Sequence, residues 1–111
     1  MNSILTSIKD QLSLERDDES FDNELIIFIN AAFSILTQLG VGPETGFRIT
    51  GSEETWDDYQ VDLVQEEMTK NYIYLKVKIL FDPPTNSSLA KAIEEQIKEY
   101  EWRLKLQAEE V

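Results

Sequence analysis

The sequence predicts a mainly α-helical fold: a small four-helix bundle with a glycine-rich connector between the second and third helices. Three observations predict it. Apolar residues recur at three- and four-residue spacing in four segments, near 3–12, 20–39, 62–81 and 87–108. The glycines fall between positions 40 and 51, which marks that stretch as the connector. With 111 residues and 41% hydrophobic content, the chain has apolar mass for one modest core and reads as one domain over 1–111.

The first helix carries Ile4, Leu5, Ile8 and Leu12 on one face, behind Asn2 or Ser3 as N-cap. An acidic turn, Glu15 to Glu19, follows. Asp18 or Ser20 is placed to cap the second helix, with Asp22 and Glu24 in its first turn, where negative charge suits the helix dipole. That helix repeats Phe21, Leu25, Phe28/Ile29, Ala32/Phe33, Leu36 and Leu39. Ile26, Ile27 and Ile35 widen the stripe, so the helix needs packing on two sides. Gly40, then Gly42 and Pro43, end it.

In the connector, Phe47 to Thr50 alternates and predicts one short strand, half of a possible β-hairpin. Thr55 caps a single helical turn over Trp56 to Tyr59. Residues 61–81 fit two patterns. Ile73, Leu75, Val77, Ile79 and Phe81 alternate as in a strand, while Val61, Val64, Met68, Tyr72, Leu75 and Ile79 recur as in a helix. Length favours the helix, and Pro83 and Pro84 stop it. The last helix, capped by Ser87 or Ser88, lines up Leu89, Ile93, Ile97, Tyr100, Leu104 and Ala108. Glu94/Lys98 and Glu101/Lys105 are attractive neighbours one turn apart, and Glu95/Glu99 is a repulsive one. Trp102 and Leu106 fall off the apolar stripe.

Composition removes most chemistry. Asp and Glu number 22 against 10 Lys and Arg, a net charge of −12, and there is no His and no Cys. Ser-His and Cys-His nucleophiles, the usual zinc sites and disulfides are thereby excluded. So few bases make a phosphate-gripping nucleic-acid surface a poor fit. The longest apolar stretches fall well short of the roughly 20 residues of a membrane span. The first residues lack the basic and apolar regions of a signal peptide. A soluble acidic protein made inside a cell, binding proteins rather than catalysing, is the expectation, with no catalytic residue, cofactor or metal assigned.

Carboxylate motifs were the remaining route to chemistry. Glu54 and Asp57 have the spacing of a metal-holding pair on a helix, but the second such motif of helical pyrophosphohydrolases is absent. A calcium loop beginning at Asp17 would put Phe21 at a ligand position and Asp22 where glycine is needed. The aromatics point instead to interaction. Phe47, Trp56 and Tyr59 lie in the connector, and Trp102 with Arg103 and Leu106 lies off the core stripe. These six are the candidate interface residues, because Trp, Tyr and Arg often dominate interfaces.

The run from Tyr72 to Pro84 (YIYLKVKILFDPP), followed by Ser87-Ser88 and the EYEWRL run from Glu99 to Leu104, resembles the small head–tail connector proteins of long-tailed bacteriophages, also called head-completion adaptors. Phe21-Asp22, Ile29-Asn30, the segment from Gln38 to Gly42, Gly46-Phe47 and Thr55-Trp56 fit the same pattern in order. Leu12 to Leu14 departs from it, lacking the expected glycine after the first helix, and Val64 to Met68 is more acidic than the pattern. The resemblance implies a helix over 72–81 and a non-enzymatic virion protein. It implies a ring, a dodecamer by resemblance, beneath the portal at the capsid vertex. That ring would extend the DNA channel after packaging and dock the next head-completion or tail connector. Within it, Glu53, Glu54, Asp57 and Asp58 are candidate channel-lining residues, since carboxylates repel passing phosphates. Two other classes compete: an acidic regulatory module, such as an inhibitor or DNA mimic, and a carboxylate-metal enzyme using Glu54 and Asp57.

Overall fold

A computed structural model describes residues 3–59, 61 and 63–109. It contains α1 (Ile4–Gln11), α2 (Asp22–Gln38), the single turn α3 (Trp56–Tyr59), α4 (Leu63–Phe81) and α5 (Ser87–Glu109). Helix α4 lies between α2 and α5 and packs on both, while α1 rests on α2. The result is a flat slab of 40 × 36 × 19 Å. The helical alternative for 72–81 is thus the one adopted, and Tyr72, Ile73 and Val77 are fully buried on the α4 face.

The core draws on every helix: Ile4, Leu5 and Ile8 of α1; Leu25, Ile29, Ala32, Phe33 and Leu36 of α2; Trp56 and Tyr59 of α3; Tyr72, Ile73 and Val77 of α4; Ile97 and Leu104 of α5. As its broad stripe requires, α2 is covered on more than one side, by α1, by α4 and by the connector around Val41 and Ile49. Three residues of the predicted apolar stripes, Phe21, Val64 and Leu89, are exposed, as is Ile27, which was expected to widen the α2 stripe.

Local chemistry fixes the helix ends. Ser3 caps α1 by accepting the Thr6 N–H at 3.2 Å. At the other end Leu14 N–H donates to Lys9 O (2.9 Å) and Ser13 N–H to Asp10 O (3.1 Å). This is the paired closure that normally uses glycine, and Ser13 takes it at φ 62°. The same closure ends α2 through Val41 N–H to Leu36 O (2.9 Å) and Gly40 N–H to Thr37 O (3.0 Å), with Gly40 at φ 89°. Because Ser13 carries a Cβ in a left-handed conformation and Gly40 does not, Ser13→Gly is expected to stabilise the protein. The left-handed penalty of about 1–2 kcal/mol, less the entropy of a more flexible unfolded chain, leaves a gain of roughly 0.5–1 kcal/mol. A urea midpoint that stays put or falls would contradict it.

Three expectations about ends and strands are corrected. Neither Asp18 nor Ser20 caps α2; its N-cap is Phe21, without a side-chain hydrogen bond, and Asp18 Oδ1 instead accepts Ser20 N–H within the preceding turn. Helix α5 is capped by Asn86, whose Oδ1 accepts Leu89 N–H at 3.1 Å, not by Ser87 or Ser88. No strand exists among the described residues, and so no hairpin at 47–50. The Asn30 side chain occupies both backbone groups of Ile49: Ile49 N–H donates to Asn30 Oδ1 (2.7 Å), and Asn30 Nδ2 donates to Ile49 O (2.9 Å). A strand partner has nothing left to bond at that residue. The one bridge among the described residues joins Ser3 to Thr55, at the contact where Ile4 N–H donates to Glu54 O.

Candidate interaction surfaces

The connector aromatics lie inward. Trp56 and Tyr59 are buried and Phe47 is half-buried, all three gathered around Phe33 of α2. Ring centroids stand 4.9 Å apart for Phe33 and Tyr59, and 5.2 Å for Phe47 and Tyr59. Trp56 Nε1 donates to Ser7 Oγ at 3.0 Å, and the Lys70 ammonium sits 5.5 Å from the indole centroid. These rings pin the connector onto α2. The expectation that Trp56 and Tyr59 are surface anchors is therefore corrected: folding itself uses their area, and Phe47 is half-buried. Gly42 belongs to the same arrangement. At φ 84°, a Cβ there would stand 2.8 Å from the Tyr59 ring.

Burial raises the phenol pKa of Tyr59, and burial with a hydrogen bond to Glu101 raises that of Tyr72. The Tyr72 hydroxyl donates to Glu101 Oε2 at 2.8 Å. Both phenols stay neutral in the fold while the unfolded chain ionises near pH 10, so the unfolded state sheds protons first. Stability should hold up to about pH 9 and then fall by up to about 1.4 kcal/mol per pH unit for each tyrosine. Tyr59→Phe should roughly halve that slope. Urea midpoints from pH 8 to 11 that do not move would refute this.

The four connector acids divide. Thr55 and Asp58 cap α3 reciprocally: Thr55 N–H donates to Asp58 Oδ2 at 2.9 Å and Asp58 N–H to Thr55 Oγ1 at 3.3 Å. Glu54 accepts the Thr50 hydroxyl (2.8 Å) and the backbone N–H groups of Thr50 (2.9 Å) and Gly51 (3.4 Å). Burial disfavours its charge, but these hydrogen bonds outweigh burial and hold its carboxyl below the ordinary range. Glu53 and Asp57 are exposed.

The outward side of α5 presents a different surface. Trp102 is 60% exposed and Leu106 38%, one turn apart. Beside them Arg103 Nε donates to Glu99 Oε2 at 2.6 Å, which holds the guanidinium along the helix. Glu95, Lys98 and Lys105 complete the rim and are exposed. Since Ile97 and Leu104 are buried on the opposite side, Trp102 and Leu106 form a ridge that the chain's own core does not cover.

One surface escaped the sequence reading. On the side of α2 turned from its buried stripe, Ile27, Ala31 and Ser34 form one wall of a groove, and residues 45–48 form the other. Its volume is about 580 Å³. Ile27 is 64% exposed at one end. Arg48 is exposed and makes no ion pair among the described residues. The signal was present in Ile27, an isoleucine surplus to the main stripe, and in the alternation at 47–50 that the strand reading absorbed.

A family model described as phage connector protein matches residues 4–111. The match spans nearly all of the sequence, so the chain belongs to that family. No curated protein and no solved structure matches it.

Proposed function

We propose that this phage connector protein is a structural part of the virion, whose single helical domain (residues 1–111) assembles as an adaptor ring between the portal and the next connector or the tail. There it prolongs the DNA channel after packaging. The observation that carries the reading is the family match across almost the whole chain. The uncovered Trp102–Leu106 ridge supports it, because a subunit of a ring needs apolar surface that its own core leaves free. The role requires a rigid body and surfaces for neighbours, and no bond is made or broken. Adding the purified protein to DNA-filled heads and separate tails should yield joined particles, and omitting it should leave them apart. Joining that proceeds equally without it would remove the reading.

The net charge of −12 suits a conduit, since carboxylates lining a channel repel the phosphates of passing DNA. Of the four acids considered, Glu53 and Asp57 are proposed to line it. Glu54 and Asp58 are already committed to the turn and to the α3 cap. Glu53→Lys with Asp57→Lys should leave the melting temperature nearly unchanged yet slow DNA ejection or make the assembled ring retain DNA. Glu54→Lys should instead destabilise the fold, by about 1–3 kcal/mol, through the loss of its hydrogen bonds. Unchanged ejection kinetics in the Glu53/Asp57 variant would put these acids on the outer rim.

A further inference from the structure

We infer that the Trp102–Leu106 ridge of one copy seats in the groove between α2 and residues 45–48 of the next copy, making the ring contact head-to-tail. This rests on the ring reading above and names the two surfaces that meet in it. Three observations carry the pairing. The ridge and the groove lie on the two helices that flank α4, on faces turned away from the core, so one copy can present both at once. Two different patches that fit each other make a heterologous contact, which is the kind that closes into a ring rather than stopping at a dimer. The shapes agree: an indole and a leucine side chain project from α5, and the groove is concave, about 580 Å³, with Ile27, Ala31 and Phe47 as its apolar lining.

Charge agrees as well. Arg48 is the one charged residue lining the groove, and on the ridge side of α5 the exposed Glu95 makes no ion pair among the described residues, whereas Glu99 is held by Arg103. Placing that cation against Glu95 sets the register of α5 in the groove, while the buried ring supplies most of the affinity. Two like ridges meeting across a twofold axis would leave Arg48 and Ile27 unused.

The chain has no cysteine, so any thiol on it is an introduced one, and a blot against this chain reads its own cross-links. Lys98→Cys places a thiol one turn from Trp102 without removing it, and Ser34→Cys places one in the groove. The double variant, assembled on portal-bearing heads and treated with a short bifunctional maleimide, should give a ladder of covalent oligomers on a denaturing gel. Each single variant should stay monomeric on the gel. Adding Trp102→Ala or Arg48→Glu should weaken the ladder at least tenfold. A dimer from Lys98→Cys alone would mean a twofold contact and overturn the inference. Rings visible by electron microscopy without a ladder would show that α5 faces another protein, overturning the pairing but not the ring. No ring at all on heads that the protein has joined would overturn both.

Discussion

A Trp102→Ala protein is expected to fold like the parent and to fail to join heads to tails. The indole is 60% exposed and makes no ring contact or hydrogen bond among the described residues, so its removal should change the unfolding free energy by no more than about 0.5 kcal/mol. Its loss from an interface is another matter. A buried aromatic anchor is worth about 2 kcal/mol or more per contact, roughly thirtyfold in affinity. A closed ring repeats that contact at every subunit boundary, so the losses multiply and joined particles should be nearly absent. Trp102→Phe should restore part of the yield, because a phenyl ring fills much of the same space. Full joining by the folded Trp102→Ala protein would remove the α5 ridge from any assembly role.

Lys9→Met should be the most damaging single change to stability outside the apolar core. The Lys9 side chain is 4% exposed, and its ammonium donates to Arg16 O (3.0 Å) and Asp18 O (2.8 Å) while contacting Asp22 Oδ1 at 2.9 Å. It thereby ties α1, the acidic turn and the start of α2 into one unit. Asp22 Oδ1 is itself buried and meets no partner besides this ammonium. Methionine fills the space of the stem but leaves a carboxylate oxygen and two carbonyls without their donor. The expected loss is about 3 kcal/mol, at the lower end for a broken buried pair because Asp22 keeps some solvent. Lys9→Met with Asp22→Asn should recover part of it. Denaturant midpoints measure both, and a Lys9→Met protein within 1 kcal/mol of the parent, on the same scale of broken-pair losses, would contradict the assignment.

Why Lys9 was invisible in the sequence is instructive. A lone lysine between Ile8 and Asp10 looks like a solvent residue at the edge of an amphipathic stripe. Its burial comes from the turn folding back over it, which no local pattern encodes. The helices were legible because their apolar spacing persists over many residues and their ends carry Ser3, Gly40 and the prolines. The four-residue alternation at 47–50 was too short to distinguish a strand from an extended segment. The deciding partner, Asn30, lies 19 residues earlier in a helix. It is the one amide within the apolar centre of α2, and that was the available hint. The connector aromatics were misplaced for a related reason: Trp56 and Tyr59 sit among glycines and acids, yet long-range packing on Phe33 draws them in. On α5 the pattern did separate Trp102 and Leu106 from the core stripe, because a long regular helix fixes which side each residue faces. Ser13 shows the converse. The glycine expected from the family pattern is missing, yet the backbone still adopts the conformation that glycine would serve.

Docking of this chain on the portal as part of a head–tail connector is measured by sedimenting it with purified portal rings and with DNA-filled tailless heads. It should pellet with both, saturating at a fixed ratio of copies to portal, and Trp102→Ala should sharply reduce the bound amount while the free protein stays folded. A protein that remains in the supernatant with both partners, at concentrations well above those present during assembly, would contradict it.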